Sequence, residues 1–366
     1  MFQDLLNFLD NRMENGAKGY DVLAYHQGKE VLRHYNGVSD IERQTPTNGN
    51  ELYYLYSCSK PITCVAAMML WERGGFALED KLSDYLPEFA EMRIQNADKT
   101  TRPAEKPILV RHLFEMSAGL DYDLQSPEFA ACSEATGGRC PTREAMKYLA
   151  RRPIAFEPGT RWRYSLCHDV LAALVEVISG ERFSDFVKKS IFDPLGMSRS
   201  TYRLTEQVRA QVAPIYIYDA EAKRPKLLKI GISDFVIGSE YESGGAGCVS
   251  CTEDYMRFLE GVRTFKLLKK ETVDLMRQNH IPLYGIDDTP YWKKDTHGYG
   301  LGVRCSKGVE GYGDFGWDGA AGAFMAIDLE NEITVFYAQH LRDDPNNPNR
   351  HLIYDYVRDA LCKNSR

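Results

Sequence analysis

Residues 57–75 read SCSKPITCVAAMMLWERGG, a stretch dominated by small and apolar side chains. Gly74 and Gly75 end it, and glycine is favoured where a helix stops. The pattern predicts an α-helix that begins at Ser57. Because helix residues three positions apart share a face, Ser57 and Lys60 are expected side by side on the first turn. Five apolar residues recur at the three- and four-residue intervals of a helix: Ile62, Val65, Ala66, Met69 and Leu70.

Strand patterns lie on both sides of this helix, near the two ends of the chain. The middle, about residues 78–229, is instead rich in helical patterns broken by proline and glycine. We therefore expect an α/β chain of the α+β type, in which helices flank an antiparallel sheet and a mostly helical domain is inserted. The expected sheet domain is discontinuous, residues 1–75 plus 230–366, and the expected helical domain is residues 76–229. The strand patterns are 21–26, 31–35, 298–305, 323–329 and 333–339, and a closing helix covers 351–362.

Composition limits the classes of function. The 366 residues include 45 basic and 52 acidic side chains, and the formal net charge of −7 disfavours a nucleic-acid partner. No apolar stretch approaches the ~20 residues that span a bilayer, and residues 1–16 lack the basic start and unbroken apolar run of a secretory signal. The sequence thus predicts a cytoplasmic protein with no membrane partner, and it leaves the oligomeric state open.

Nine cysteines are scattered along the chain, and an odd, unpatterned set is typical of a reducing compartment. Cys248 and Cys251 form a CxxC, for which a redox or metal role competes with close packing in a glycine-rich turn. No second CxxC or HxxxH accompanies it, so packing is the favoured interpretation. We expect neither a metal nor a cofactor.

The first turn of the predicted helix also indicates chemistry. Ser57-Cys58-Ser59-Lys60 is the single SxxK of the chain. A helix start offers unpaired N–H groups and the positive end of the helix dipole, so the Ser57 N–H can face a developing oxyanion while a base activates the hydroxyl. None of the eight histidines lies in a GxSxG setting, which disfavours a Ser-His-Asp triad. The alternative is an N-cap serine followed by a surface lysine.

An ordered set of motifs resembles the serine β-lactamase-like family, which includes class C β-lactamases, penicillin-binding DD-peptidases, D-aminopeptidases and related carboxylesterases. Each motif is loose, but their order along roughly residues 20–345 is specific. Besides the SxxK, the similar segments are 110–120 (VRHLFEMSAGL), 156–165 (FEPGTRWRYS), 194–197 (PLGM) and 244–247 (GGAG).

The resemblance implies a β-lactamase/transpeptidase-like fold and a serine hydrolase that forms an acyl-enzyme. It makes Ser57 the nucleophile. Lys60 keeps Tyr164 anionic or relays its proton, and Tyr164 deprotonates Ser57 and later protonates the leaving group.

A third family motif, Lys or His followed by a small residue and Gly, lines the substrate cleft. Residues 317–319 (WDG) match it best. The resemblance implies that Trp317 and Gly319 bind substrate, and that the Ala320 N–H joins the Ser57 N–H in the oxyanion hole. A core position is the alternative for Trp317.

Two departures from the family pattern bear on the substrate. Tyr164-Ser165-Leu166 replaces the usual Tyr-x-Asn, so a substrate-facing Leu166 offers no amide hydrogen bond. Trp317 replaces a cation that binds the carboxylate of penicillin-like substrates, and it offers one N–H and a large apolar face. We therefore expect a carboxylesterase, or an acyltransferase, that acts on small acyl esters. The alternatives are a β-lactamase, D-Ala carboxypeptidase or D-aminopeptidase-type hydrolase acting on amides, with Arg304 as a carboxylate anchor, and a non-catalytic binding or sensing protein.

Overall fold

The structure is a computed structural model that describes residues 1–228, 235–280, 282, 296–309 and 311–362. Within these residues fifteen β-strands form, numbered in chain order. They are β1 (Gly19–His26), β2 (Lys29–Asp40), β3 (Thr45–Pro46), β4 (Tyr53–Tyr54), β5 (Arg93–Gln95), β6 (Thr101–Pro103), β7 (Tyr216–Asp219), β8 (Arg224–Leu227), β9 (Val249–Ser250), β10 (His297–Tyr299), β11 (Arg304–Ser306), β12 (Phe315–Asp318), β13 (Phe324–Asp328), β14 (Ile333–Ala338) and β15 (Leu341–Arg342).

The described residues also form twelve α-helices, and seven of these follow one another between β6 and β7. This is the helix-rich middle that the sequence predicts. The helices are α1 (Gln3–Asn15), α2 (Ser59–Glu72), α3 (Val110–Phe114), α4 (Pro127–Ala135), α5 (Thr142–Leu149), α6 (Cys167–Ser179), α7 (Phe183–Val187), α8 (Asp193–Leu195), α9 (Glu206–Gln211), α10 (Thr252–Arg263), α11 (Lys270–Met276) and α12 (Leu352–Cys362).

Eight strands form one antiparallel sheet in the order β10-β11-β12-β13-β14-β1-β2-β3. The first three strands of the chain therefore pair with five strands from its last third, through the contact of β1 with β14. The combination of helices with an antiparallel sheet confirms the predicted fold class. The boundaries proposed for two domains, at residues 75 and 230, stay a prediction.

Both faces of the sheet are covered by helices. In β14, Ile333, Val335 and Tyr337 point to one face, where they join a core that also contains residues of α1 and α12. Phe336 and Ala338 point to the other face and join the larger core around α2, α6 and α10. This alternation follows from the two-residue period of a strand. Each apolar side chain buried in this way stabilises the fold by about 1.5–3 kcal/mol.

The first hairpin joins β1 and β2, the strands predicted at residues 21–26 and 31–35. A two-residue loop, Gln27 and Gly28, joins β1 to β2, with φ values of 53° and 74°. Two positive φ angles are the requirement of a type I′ turn, whose twist matches that of the flanking strands.

The predicted single strand at residues 298–305 is wrong, because two antiparallel strands, β10 and β11, occupy this stretch. A tight turn separates them, in which the Gly300 N–H donates to the Val303 carbonyl at 2.9 Å. Gly302 has a φ of 85°. A Cβ atom at this position would lie 2.1 Å from Cys64 Sγ on α2, so the turn requires glycine.

None of the described helices combines the length and the apolar composition needed to cross a bilayer. All nine cysteines have free thiols, and eight of them are buried. Cys248 and Cys251 lie on either side of β9 in the core, where close packing accounts for both.

Candidate active site

Ser57 lies in a strained turn between β4 and α2. A 3₁₀ turn covers Tyr56–Cys58, and α2 begins at Ser59 rather than at Ser57 as predicted. Pro61 explains the difference, because it has no N–H to donate to the Ser57 carbonyl. Tyr56 has a φ of 48°, and such a left-handed conformation costs a non-glycine residue about 1–3 kcal/mol. Strain of this kind is concentrated at functional sites.

Lys60 is fully buried, and its ammonium group has three oxygen acceptors. Nζ donates to Ser57 Oγ at 3.1 Å, to the Gly245 carbonyl at 2.7 Å and to Tyr122 Oη at 3.3 Å. Three acceptors match the three donors of an ammonium group. These bonds offset the cost of burying the charge, and they place Lys60 in direct contact with Ser57.

Tyr164 contacts the same serine oxygen. Its hydroxyl donates to Ser57 Oγ at 2.5 Å. Its ring stacks on Tyr122, with centroids 5.4 Å apart and planes 11° from parallel, and the ring centroid lies 4.5 Å from Lys60 Nζ. We name Ser57, Lys60, Tyr122 and Tyr164 the hydroxyl cluster. It brings together the three residues predicted to be catalytic.

A buried carboxyl group, Asp169, lies near Lys60 of the hydroxyl cluster. The hydroxyls of Tyr241 and Ser243 donate to Asp169 Oδ1 at 2.7 and 2.6 Å. Burial raises the pKa of Asp169, and the Ser243 hydrogen bond and the Lys60 charge oppose this effect. A Cβ atom on Gly245 would lie 2.6 Å from Asp169 Oδ2 and 3.3 Å from Lys60 Nζ. The GGAG segment therefore needs glycine at this position to pass the two charged groups.

Ser57 opens into a cavity of about 360 Å³. Four of its nine lining residues are aromatic. Trp317 stacks on Tyr164 with ring centroids 5.9 Å apart, and Phe235 packs edge-on against Tyr122 at 5.5 Å. The rings give the cavity an apolar wall, to which Asp318 and Arg350 add two charged groups. The lining residues are Ser57, Tyr122, Tyr164, Phe235, Trp317, Asp318, Gly319, Ala320 and Arg350.

Gly319 brings the end of β12 against the Ser57 turn. A Cβ atom at this position would lie 2.5 Å from the Leu55 carbonyl oxygen, so this close approach requires glycine. The Gly319 N–H donates to the Ala323 carbonyl at 2.8 Å. Ala320 is the next residue along the chain. Ala320 and Ser57 therefore border one space, where two backbone N–H groups can face a reacting oxygen.

Leu166 does not line this cavity. Its side chain is 1% exposed in the main core, and its N–H donates to the Asp121 carbonyl at 3.0 Å. Leu166 directly precedes α6, and its apolar side chain packs inward with that helix. This placement corrects the expectation that Leu166 faces the substrate.

Arg304, expected as a possible carboxylate anchor, is also directed elsewhere. Its side chain is 5% exposed, and it forms ion pairs with Asp314 and, at 3.7 Å, with Asp318 Oδ1. Arg350 instead supplies a guanidinium group to the cavity lining.

Four lining residues were not predicted from the sequence, and one of them, Asp318, lies inside the WDG segment itself. Tyr122 follows the Gly119-Leu120 pair of a family-like segment by two positions, which is the one signal that could have found it. Phe235 and Arg350 lie in segments without a recognisable pattern. Arg350 is 31 positions from the glycine that it contacts, so no local spacing links them.

The arrangement can activate a serine hydroxyl for attack on a carbonyl carbon. Two groups that can carry a proton contact Ser57 Oγ, and two backbone donors border the cavity where the oxyanion would form. Among the described residues, no group of three or more His, Cys, Asp or Glu side chains is placed to hold a metal ion.

Comparison with known proteins agrees with this chemistry. The family model named Beta-lactamase matches residues 5–360. The chain is 28% identical over 337 residues to Esterase EstB of Burkholderia gladioli, which covers 86% of this chain and 83% of that protein. It is 27% identical over 321 residues to the lovastatin esterase of Penicillium rubens, which covers 79% of each.

Among solved structures, EstCE1, described as a hydrolase with promiscuous acyltransferase activity, superposes with a TM-score of 0.79 at 25% identity. The match covers 96% of this chain and 97% of that one. The chain belongs to the beta-lactamase family and is a serine hydrolase. The family resemblance inferred from the motifs is thereby confirmed.

Proposed function

We propose that this chain is a carboxylesterase-type enzyme that forms an acyl-enzyme on Ser57. The observation that carries the proposal is the double contact of Ser57 Oγ, with the Tyr164 hydroxyl at 2.5 Å and the Lys60 ammonium at 3.1 Å, at the wall of an aromatic cavity. A serine hydroxyl is a weak nucleophile until a neighbouring group takes its proton.

In the proposed acylation step, Tyr164 enters as the phenolate beside the Lys60 ammonium, and it takes the proton of Ser57 as Oγ attacks the ester carbonyl carbon. Lys60 holds its positive charge against both oxygens. The carbonyl oxygen becomes an oxyanion and accepts hydrogen bonds from the N–H groups of Ser57 and Ala320. When the intermediate collapses, the bond from the acyl carbon to the alcohol oxygen breaks, and Tyr164 returns the proton to that oxygen.

Deacylation repeats these steps with water. Tyr164 removes a proton from the water molecule, whose oxygen attacks the acyl carbon. The bond to Ser57 Oγ then breaks, and Tyr164 returns the proton to Oγ. An alcohol in place of water gives acyl transfer, the second activity named for EstCE1. Product analysis with and without added alcohol separates the two outcomes.

Small neutral acyl esters are the proposed substrates. Trp317 offers an apolar face at the position where a cation would meet a substrate carboxylate, and it stacks on Tyr164 in the cavity wall. Desolvating a carboxylate without a partner is costly, whereas a neutral ester has no such penalty. The names of EstB and of the lovastatin esterase support an ester substrate.

One observation favours the alternative, a hydrolase of β-lactams or of D-amino acid amides. Arg350 lines the cavity, and a guanidinium group can bind a carboxylate. Its Nε lies 3.1 Å from Asp318 Oδ2, however, so much of its charge is already compensated. This compensation favours the ester.

The test is intact-mass spectrometry of the protein after exposure to p-nitrophenyl acetate, p-nitrophenyl butyrate, nitrocefin and a peptide ending in D-Ala. We expect one acyl group per chain from the esters and a higher kcat/KM for the esters than for nitrocefin. Ser57→Ala should abolish acylation, while Ser198→Ala, a change at an exposed serine, should leave it unchanged. Faster turnover of nitrocefin would replace the ester proposal with its alternative, and acylation of Ser57→Ala would remove Ser57 from the nucleophile role.

A further inference from the structure

Two donors fix the Gly319 carbonyl group. Arg350 Nη1 donates to it at 2.8 Å, and the Gly322 N–H donates to it at 3.0 Å. The bond from Arg350 joins an ionised donor to a backbone oxygen, and such bonds are roughly twice as strong as neutral ones.

The Gly319 carbonyl and the Ala320 N–H belong to the same peptide group. Within the part of the chain that the structure describes, every peptide bond is trans, so these two groups point in opposite directions in one plane. Fixing the carbonyl oxygen therefore fixes the direction of the Ala320 N–H. A hydrogen bond to a carbonyl oxygen also polarises the peptide group and strengthens its N–H as a donor.

Arg350 itself belongs to a row of ionisable side chains, which we name the ion-pair chain: Arg350, Asp318, Arg304, Asp314 and His297. Arg350 Nε lies 3.1 Å from Asp318 Oδ2, and Arg304 pairs with both aspartates. His297 Nε2 ends the chain, 3.2 Å from Asp314 Oδ1. The Asp318 carboxylate thus forms an ion pair with one side of the Arg350 guanidinium, while Nη1 on the other side donates to Gly319.

We propose that Arg350 is a positioning residue for the oxyanion hole: its bond to the Gly319 carbonyl orients and polarises the Ala320 N–H toward the oxyanion. The inference rests on the proposed function, since an oxyanion forms only if Ser57 attacks a carbonyl. It assigns Arg350 a role in the transition state of any substrate, including a neutral one.

A direct role in binding a substrate carboxylate is the competing explanation. The two roles differ in what they affect. A carboxylate anchor strengthens binding of anionic substrates in the ground state, whereas an oriented N–H acts on the developing oxyanion. A neutral ester therefore isolates the positioning role, because it has no carboxylate for Arg350 to bind.

The experiment measures single-turnover acylation by p-nitrophenyl acetate, which separates the acylation rate constant from the substrate dissociation constant. The variants are Arg350→Met, which removes the donor, and Arg350→Lys, which keeps a charged donor. Arg358→Met is the matched control, because Arg358 also donates to a glycine carbonyl, that of Gly311, and forms ion pairs with two aspartates on α12.

For Arg350→Met we expect the acylation rate constant to fall about 10- to 100-fold. This loss is smaller than the one caused by deleting an oxyanion donor outright. The dissociation constant should stay within about threefold of wild type, since a uniform loss of binding would change it instead. Arg350→Lys should recover part of the rate, and Arg358→Met should match wild type. The rate of Ser57 labelling by a fluorophosphonate should follow the same order.

An acylation rate constant for Arg350→Met within about twofold of wild type, or a loss confined to the dissociation constant, would overturn the inference. If circular dichroism shows Arg350→Met to be unfolded, Arg350→Gln takes its place, with a smaller loss expected because its N–H donor is neutral. If neither the ester nor the fluorophosphonate labels wild-type Ser57, the proposed function fails and the inference with it. If wild-type Ser57 is labelled and the acylation rate of the Arg350 variant is unchanged, only the role of Arg350 is contradicted.

Discussion

Asp169 and Asp314 are both buried carboxyl groups in the networks beside the cavity, yet their pKa values move in opposite directions. Burial raises the pKa of Asp169, and the nearby Lys60 charge only partly opposes this. Burial acts on Asp314 as well, but the Arg304 charge and the His297 hydrogen bond outweigh it and lower the pKa of Asp314 to about 2. Both carboxyl groups are buried, so the different charges and hydrogen bonds around them decide the direction of the pKa shift.

The difference separates two physical tasks. The hydroxyl cluster combines one cation with three hydroxyl groups, so a proton can move between oxygens around Ser57. The ion-pair chain consists mainly of opposite charges that stay fixed at neutral pH. Proton transfer needs groups whose protonation changes, whereas a fixed peptide dipole needs groups whose charge does not. We therefore expect changes in the first network to affect rate above all, and changes in the second to affect stability as well.

The largest expected effect follows from removing the proton carriers. Tyr164→Phe should lower the acylation rate by at least ~100-fold, because loss of a general acid–base group has about this effect. Lys60→Ala should cost as much, since the two groups act on one oxygen as a unit. The measurement is the p-nitrophenolate burst on mixing each variant with p-nitrophenyl acetate.

Tyr35→Phe is the matched control, because Tyr35 is exposed on β2. The double variant of Tyr164 and Lys60 should be scarcely slower than either single one. If Tyr164→Phe is acylated at nearly the wild-type rate, another base, such as Lys60 alone, activates Ser57, and the proposed contrast between the two networks loses its main support.

The next effect is a change in stability, which distinguishes the ion-pair chain from the hydroxyl cluster. The native pKa of Asp314 lies below its unfolded value, so its ionised form stabilises the fold at and above about pH 4, and this contribution is lost as pH falls toward 2. Asp314→Asn should lower the free energy of unfolding at neutral pH by about 2–3 kcal/mol. Urea unfolding at neutral pH and at about pH 3 measures this difference, which should shrink at the lower pH.

Asp343→Asn provides the control, because Asp343 is exposed and takes no part in either network. A constant difference between wild type and Asp314→Asn across this pH range would mean that Asp314 stabilises the fold by packing rather than by its charge.

The fold was predictable because its signals are local. The helical spacing of α2, the two glycines that follow it and the strand pattern of β14 each lie within a short run of consecutive residues. The error at residues 298–305 arose because a contact distant in sequence decided the conformation. The turn at Gly302 depends on its approach to Cys64, and periodicity within residues 298–305 contains no information about that neighbour.

The site residues likewise fall into two groups, those that a local pattern predicts and those that come from remote segments. The pairing of Ser57 with Lys60 follows from helical spacing, and Tyr164 follows from a motif. The partners that complete the site come from remote segments: Tyr122 from the loop after α3, and Arg350 from the turn before α12. Leu166 was misplaced because a motif position specifies order along the chain but not the direction in which a side chain points.

The smallest expected effect is that of Tyr122→Phe, which tests whether the two tyrosines of the hydroxyl cluster have different roles. Burial, and next the interaction with Tyr164, raises the pKa of Tyr122 well above its ordinary value, which favours Tyr164 over Tyr122 as the base. Its bond from Lys60 Nζ is the longest of the three, 3.3 Å, and the change keeps the stacked ring. We expect an acylation rate about 2- to 10-fold lower, the equivalent of one ordinary hydrogen bond.

The same burst measurement compares Tyr122→Phe with Tyr164→Phe, a matched pair because each change removes one phenol oxygen from stacked rings that contact Lys60. A loss near ~100-fold for Tyr122→Phe would contradict the assignment of proton transfer to Tyr164 alone. The two tyrosines would then share the proton, and the pH dependence of acylation in each single variant would identify which of them carries it before Ser57 attacks.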